Sequence, residues 1–166
     1  RLKELDQLSH HYYNYNIPYG SCLIDYSRRS YIFLSENIEK ITGYHKAEMV
    51  GGPEVQIARM LPEDRHVFRN QLFPEILTFL KGVSPREFER YRFSFTYRYF
   101  RKDGNITHLL QHGTYLEPTD NHLPLLNLVT FTDISDFVTN NTITLSIGYL
   151  TDHQGYINVL RKNFPV

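Results

Sequence analysis

The sequence predicts an α+β fold, in which a five-stranded antiparallel sheet carries short helices on one face. A helix precedes the sheet and a hairpin follows it. Two observations lead to this fold class. In the first half of the chain apolar residues recur at helical spacing, and in the second half they alternate with polar residues. Three strand patterns then follow one another with turn residues between them, which is typical of an antiparallel meander.

Residues 1–16 have the pattern of an amphipathic helix. Their apolar residues recur three or four positions apart, at Leu2, Leu5, Leu8, Tyr12 and Tyr15. Two interpretations remain open, a helix that packs on its own domain and a helix that pairs with a second copy of the chain. We expect a homodimer formed through this helix.

Two short strands, near 21–26 and 31–34, are predicted on either side of a polar turn. Ser35 has the position of an N-cap for a helix that ends at Gly43. A second short helix follows, and the glycines at positions 51 and 52 end it. Because helices this short are unstable alone, we expect both to lie against the sheet.

A longer helix is predicted to begin at Pro62, since proline and acidic residues are favoured in the first turn. Apolar residues continue at helical spacing to about Lys81 and Gly82. Pro74 interrupts this run, and we expect it to kink or split the helix because proline lacks the backbone donor.

The alternation between Tyr91 and Tyr99 is the strongest strand pattern in the chain. Asp103 and Gly104 supply favourable turn chemistry after it, and a second strand is expected at about 106–117. A third strand, "LLNLVTFTDIS", is almost continuously apolar and is therefore expected to be central. The tail from residue 139 has two more strand patterns, which either extend the sheet or begin a connection to another domain.

The charges of the chain are balanced, with 18 basic and 18 acidic side chains. No overall field therefore attracts nucleic acid or anionic lipid, and we expect this chain to contact neither. The single cysteine, Cys22, cannot form an internal disulfide, which favours a reducing, cytoplasmic location. No apolar run approaches the length of a membrane span. The start without methionine suggests a piece of a longer protein.

Four short motifs occur in an order that resembles the PAS domain family. They are "NIEKITGYHKAEMVGG" at 37–52, "LPEDR" at 61–65, "YRYFRKDG" at 97–104 and "FTDIS" at 131–135. The resemblance covers residues 17–138, which leaves 1–16 as an N-terminal helix and 139–166 as a C-terminal extension. It departs from the family at His108, where a tryptophan is common. The resemblance implies a sensory module with a pocket between the helices and the inner face of the sheet.

Strand and helix phase indicate which residues would line that pocket. The candidates are Ile24, Phe33, Tyr44, Met49, Met60, Phe68, Phe95 and Val129. Such pockets are mostly apolar with a few polar groups. The alternative is that these side chains fill the core completely, because protein interiors are normally close-packed.

Other site chemistry is weakly indicated. His108 and His112 share one face of a strand, but a metal site needs further ligands and we predict none. Haem-binding members of the resembled family place an axial histidine on a helix, where His66 is the nearest candidate. Flavin photosensors need a cysteine in a motif that Cys22 lacks. The cofactor is therefore unassigned, and the motifs support neither haem nor flavin.

The resemblance implies a non-enzymatic sensory or interaction module that regulates an output domain. Because bacterial regulators of this family often join such a module to a DNA-binding domain, we expect the sensing part of a transcriptional regulator. Two alternatives remain. One is a small α+β isomerase or dehydratase that uses a buried residue such as His112, and the other is a pure dimerisation module.

Overall fold

A single antiparallel sheet organises the chain. The computed structural model describes residues 19–138 and 140–166, so the predicted helix of residues 1–16 lies outside the described residues. Within those ranges the sheet has seven strands: β1 (Tyr19–Asp25), β2 (Ser30–Leu34), β3 (Tyr91–Phe100), β4 (Ile106–Pro118), β5 (Pro124–Asp133), β6 (Thr142–Thr151) and β7 (Gly155–Pro165). Their order across the sheet is β2-β1-β5-β4-β3-β6-β7.

The predicted α+β class is confirmed, but the predicted number of five strands is wrong. The tail forms the hairpin β6–β7, and β6 pairs with β3 between Tyr91 and Phe95. The hairpin therefore extends the sheet. Its inner side chains Ile143, Leu145 and Ile147 are buried, because they continue the apolar face of the meander.

A bulge alters the phase of the first hairpin. The pairing of β1 with β2 shifts between Leu23 and Ile24, so that Ile24 faces Tyr31 and Cys22 faces Leu34. Tyr31 and Leu34 therefore lie on the same face of the sheet although they are three residues apart. The two residues between them, Ile32 and Phe33, are exposed. A bulge inserts an extra residue into one strand, which breaks the alternation of period two.

Strand β3 shows the predicted alternation. Phe93, Phe95, Tyr97 and Tyr99 are buried, whereas the intervening side chains lie on the opposite face. The predicted turn after this strand is also confirmed, since Gly104 has a φ of +84° and so has the left-handed conformation that glycine accepts without strain. These side chains provide the apolar inner face on which the helices pack.

Four α-helices lie between β2 and β3 in the described residues. They are α1 (Ile38–Thr42), α2 (Pro53–Ala58), α3 (Pro62–Val67) and α4 (Phe73–Lys81). Short 3₁₀ helices occupy Lys46–Met49 and Pro85–Arg90. No helix in this part of the chain is both long enough and apolar enough to span a bilayer.

The start of α1 differs from the prediction. Its N-cap is Asn37 and not Ser35. The Ser35 hydroxyl instead accepts a hydrogen bond from the backbone N–H of Ser21 at 2.9 Å, so it joins the end of β2 to β1. The predicted end of the helix is confirmed, because Gly43 has a φ of +77° and its N–H donates to the carbonyl of Glu39.

A π-helical turn, Phe68–Leu72, separates α3 from α4. The N–H of Phe73 donates to the carbonyl of Phe68, five residues earlier. Pro74 follows directly in the first turn of α4, where its missing N–H is tolerated. The predicted interruption at Pro74 is thus confirmed as a widened turn in an otherwise continuous helical segment, 62–81.

A buried ion pair fastens this helical segment to the sheet. Asp64 is 1% exposed, and its carboxylate accepts a hydrogen bond from the backbone N–H of Arg98 at 2.6 Å. The guanidinium of Arg98 donates to the same carboxylate, at 3.0 Å from Nε and again from Nη2. The pairing of β3 with β6 ends at Phe95, so β6 provides no partner for the backbone N–H of Arg98. The Asp64 carboxylate satisfies this donor instead.

The segment that leads into α3 completes the edge of β3. Met60 forms a bridge with Tyr99, the N–H of Leu61 donates to Arg98, and the N–H of Phe100 donates to Arg59. The first turn of α3 is therefore held beside the C-terminal half of β3 by backbone hydrogen bonds as well as by the ion pair.

We expect Asp64→Asn to destabilise the protein by about 3–5 kcal/mol, because Arg98 then keeps a buried charge without its counterion. Urea unfolding followed by circular dichroism measures this loss. Asp152→Asn is the matched control, since Asp152 pairs with Arg90 at an exposed site with 72% of its side chain accessible. Equal unfolding midpoints for the two variants would contradict the structural role of Asp64.

Candidate functional site

A cavity of about 550 Å³ lies between the helices and the inner face of the sheet. The sheet contributes residues of β1 to β5, and the helical side contributes residues of α2, the π turn and α4. Most of the wall is apolar, with Ile24, Phe95, Val129 and Phe131 on the sheet side. The volume is in the range that holds a small-molecule ligand.

Five of the eight predicted pocket residues line this cavity, and three do not. The structure brings together Ile24, Met60, Phe68, Phe95 and Val129. The prediction was wrong for Phe33, Tyr44 and Met49, which lie outside the wall. That the five residues bind a ligand stays a prediction.

The three residues lie outside the cavity wall for different physical reasons. Phe33 is 53% exposed, because the bulge in β2 turns it away from the inner face. The ring of Tyr44 is covered by the guanidinium of Arg59, which lies 3.5 Å from the ring centroid. Met49 is 3% exposed, and its sulfur accepts from the same guanidinium at 3.0 Å. Arg59 therefore occupies the space on the side of Tyr44 and Met49.

Sequence reasoning missed the polar residues of the cavity. Gln56 of α2 and Gln111 of β4 both line it, and the hydroxyl of Tyr97 joins them. Gln56 donates to this hydroxyl at 3.4 Å, and the hydroxyl donates to Oε1 of Gln111 at 3.2 Å. Gln111 was detectable in principle, since it is a polar residue at an inward position of a predicted strand.

Asn127 of β5 is a deeply buried polar residue of the wall. It is 3% exposed, and its Nδ2 donates to the hydroxyl of Tyr26 at 3.1 Å. Its other amide atom, Oδ1, is buried and has no hydrogen-bond partner. Gly113 lies opposite Val129 on β4, and a Cβ built there would come within 2.9 Å of this oxygen. The carboxamide of Asn127 thus packs directly against the backbone of Gly113, where a larger residue would displace it.

The interior of the cavity is uncharged at neutral pH. Burial raises the pKa of the Cys22 thiol to about 12, and burial also raises the pKa values of Tyr31, Tyr97 and Tyr115. All four groups therefore remain protonated. Hydrophobic walls and neutral donors and acceptors favour a ligand whose buried part carries no charge.

Charged side chains of the wall lie around the start of α2. Glu54 pairs with Arg69 of the π turn at 2.5 Å, and Arg29 comes from the turn between β1 and β2. Glu54 and Arg69 are both well exposed, so their charges remain in contact with solvent. This side is the mouth of the cavity.

The candidate histidines lie outside the cavity. His108 and His112 share a face of β4 as predicted, but the cavity residue Gln111 alternates with them, so their face is the outer one. Nδ1 of His112 lies 2.6 Å from the hydroxyl of Ser94, and burial together with the nearby Arg92 lowers the pKa of His112. The expected position of His112 in the pocket is therefore wrong, and the alternative of an isomerase or dehydratase stays a hypothesis without this residue. His66 is exposed and bonds to Asn70.

The side chains that could bind a metal are dispersed in the described part of the chain. In the ranges 19–138 and 140–166, no three His, Cys, Asp or Glu side chains converge on a point that could hold an ion. The histidine pair on β4 therefore has no third ligand of these types among the described residues.

Comparison with known proteins assigns this architecture to a family. The sequence pattern of the family described as the PAS fold matches residues 31–127, which is more than half of the chain. The chain belongs to the PAS family. The resemblance carried by its four motifs is thereby confirmed. No curated protein sequence matches the chain.

Solved PAS structures share the fold at low sequence identity. The N-terminal domain of a diguanylate cyclase with PAS/PAC sensor from Marinobacter aquaeolei is 15% identical, with a TM-score of 0.53 over 70% of this chain and 95% of that one. A PAS domain from Colwellia psychrerythraea is 16% identical, with a TM-score of 0.53 over 80% and 98%. A sensory box histidine kinase/response regulator from Burkholderia thailandensis is also 16% identical, with a TM-score of 0.54 over 76% and 85%. These likenesses show the PAS fold.

Because the pKa of Cys22 is raised, the free energy of unfolding depends on pH in the alkaline range. The unfolded thiol ionises near its ordinary pKa of 9.0 and the folded one near 12, so this contribution is complete below pH 9 and is lost as the pH rises toward 12. We expect unfolding free energy from urea titration to fall by about 1.4 kcal/mol between pH 8 and pH 10 through this group. Cys22→Ala should lack this part of the fall. Parallel pH profiles for the two proteins would refute it.

Proposed function

We propose that this PAS domain is the sensory module of a signalling protein, and that it binds a small molecule in the cavity and regulates an output domain. The observation that carries the proposal is the cavity of about 550 Å³, enclosed by apolar side chains and a few fixed polar atoms. Cores are normally close-packed, so a space of this size beneath the helices supports a role in binding a small molecule.

The structure supports a route from the cavity to the C-terminal hairpin. Phe68 of the π turn stacks on Phe73 and lies against Phe95 of β3, with 5.7 Å between ring centroids in each pair. Further along the same helical segment, Glu75 pairs with Lys162 of β7 at 2.6 Å. A ligand that moves the π turn would therefore act on β3 and on the β6–β7 hairpin together.

The proposed mechanism is a population shift between two packings of the hairpin against the helical segment. A ligand drives such a shift only when it binds one packing more tightly than the other. Phe68 and Phe73 line the cavity, and Glu75 lies two residues after Phe73, within one helical turn. A ligand that contacts the two rings more closely in one packing than in the other would therefore act on the Glu75–Lys162 ion pair.

The output domain is part of the proposal. The sequence favours the sensing part of a cytoplasmic bacterial transcriptional regulator, with a homodimer formed through residues 1–16. The similar solved structures come from a diguanylate cyclase and from a histidine kinase/response regulator, which supports sensing as the role of the fold. A DNA-binding domain, a cyclase and a kinase are the classes of output domain that fit this role.

Filling the cavity tests the binding function. Val129→Trp places an indole inside the cavity, whereas Leu128→Trp adds the same side chain to the outer face of the same strand, where Leu128 is 48% exposed. The neutral dye N-phenyl-1-naphthylamine is the probe, because its fluorescence increases in an apolar site. We expect dye binding to fall at least tenfold in Val129→Trp and to persist in Leu128→Trp.

Circular dichroism must show that both tryptophan variants fold, since overpacking a core costs about 1–3 kcal/mol. Native mass spectrometry and a visible spectrum of the purified wild type complete the test by detecting any molecule that remains bound. Dye binding of equal strength in the two folded variants would place the dye outside the cavity and would exclude the proposed binding function.

A further inference from the structure

We propose that the ligand of this cavity is an amphipathic anion, whose apolar body lies in the cavity and whose acidic group pairs with Arg29 at the mouth. The inference rests on the proposed function, because it assigns a chemical class to the ligand of the same cavity. Its basis is a cation on the cavity wall for which the described residues provide no counterion.

The turn between β1 and β2 holds Arg29 at the edge of the cavity. The Asp25 carboxylate accepts hydrogen bonds from the Ser27 hydroxyl at 2.6 Å and from the backbone N–H of Arg28 at 3.1 Å, which fixes the shape of the turn. Arg29 follows with a φ of +52°, a left-handed conformation that is uncommon for residues other than glycine. A Cβ at Gly52 would come within 2.0 Å of the Arg29 carbonyl oxygen. The turn is therefore packed directly against the residue that precedes α2.

The charges around the mouth leave Arg29 without a partner. The described residues of the wall include three charged side chains, Arg29, Glu54 and Arg69. Glu54 is engaged by Arg69 at 2.5 Å, and Asp25, the acid of the same turn, lies 3.6 Å from the guanidinium of Arg28. Among the described residues Arg29 itself forms no ion pair. Two arginines and one glutamate thus give the wall one net positive charge.

The interior of the cavity determines the rest of the ligand. Its side chains are mainly apolar, and Gln56 and Gln111 already bond to each other through the hydroxyl of Tyr97. Burial keeps the Cys22 thiol protonated, so this group supplies no charge either. A charged group inside this space would face only neutral side chains, whereas a charge at the exposed mouth stays hydrated. The apolar body and the acidic group therefore belong at opposite ends of the molecule.

The mouth favours an anion over a cation for electrostatic reasons. Arg29 is exposed, so pairing with an anion removes little of its hydration. Its guanidinium presents a planar fork of N–H donors, which matches the paired oxygens of an acidic group. A cationic group would instead meet the net positive charge of the wall. Fatty acids and aromatic acids are the classes of small molecule with this arrangement.

Two dyes that differ by one anionic group test this inference. N-phenyl-1-naphthylamine is neutral, and 8-anilino-1-naphthalenesulfonate is the same molecule with a sulfonate added. Fluorescence titration gives both Kd values, and the ratio of the neutral to the anionic Kd measures the contribution of the charge. We expect Arg29→Gln to lower this ratio about fivefold, the upper end of what an exposed ion pair contributes. Arg28→Gln is the matched control and should keep the wild-type ratio, because Arg28 pairs with Asp25 and does not line the cavity.

Two further variants and a second pair of ligands make the test specific to the charge. Glu54→Gln removes the counterion of Arg69 and should raise the ratio, because a second unpaired cation then lies at the mouth. Arg29→Lys keeps the positive charge and should retain most of the wild-type ratio. Decanoate and 1-decanol, used as competitors of the neutral dye, extend the test to a carboxylate. Arg29→Gln should weaken competition by decanoate about fivefold relative to decanol.

The outcomes separate this inference from the proposed function. The same ratio in Arg29→Gln and Arg28→Gln overturns the anion inference, while binding of the neutral dye leaves the cavity a binding site. Undiminished binding of the sulfonate dye to Val129→Trp places that dye outside the cavity and also overturns the inference. Failure of both dyes to bind the wild type overturns the binding function itself, and the inference with it.

Discussion

The ion pair between Asp64 and Arg98 sets the position of the long helical segment relative to the sheet, and the cavity depends on that position. Asp64 lies in the first turn of α3, and its carboxylate takes both the backbone N–H and the guanidinium of Arg98. The opposite end of the segment is held differently, because Ile76 and Leu80 are completely buried. The segment is thus attached at both ends, and its middle stands over the inner face of β3 to β5.

Two backbone irregularities shape the walls between those attachment points. The π turn places Phe68 and Arg69 on the cavity, and the bulge in β2 brings both Tyr31 and Leu34 to the same face. A regular helix and a regular hairpin would have followed strict periods and directed other side chains toward this space. Irregularities of both kinds are frequent at functional sites, since they redirect side chains without changing the fold.

The sequence was sufficient to predict the helices and strands whose apolar residues recur at a regular spacing. The alternation of β3, the start of α3 at Pro62 and the interruption near Pro74 all follow from local rules of spacing and proline geometry. Phe33 could not be placed, because the bulge that exposes it arises from pairing between two strands and leaves no local pattern. Residues 1–16 were predicted as a helix, and they lie outside the described residues.

The polar side of the cavity was harder to predict for another reason. Asn127 stands in an almost continuously apolar run, where a single amide does not change the strand pattern. Its position, two residues before Val129, gives it the inward phase of β5. A polar residue at an inward position of a central strand was therefore the available signal. Which of its atoms lacks a partner depends on Tyr26, which is 101 residues away in the chain.

The cavity connects the proposed binding with the proposed signalling. An apolar space of about 550 Å³ between helices and sheet is not filled by side chains, which lowers the stability of the packing that encloses it. The walls of the cavity exist only where the helical segment packs on the sheet. Under the proposed mechanism, a small molecule in the cavity would therefore bind this packing more tightly than a loosened one. Such a difference in affinity is what the proposed population shift at the Glu75–Lys162 contact requires.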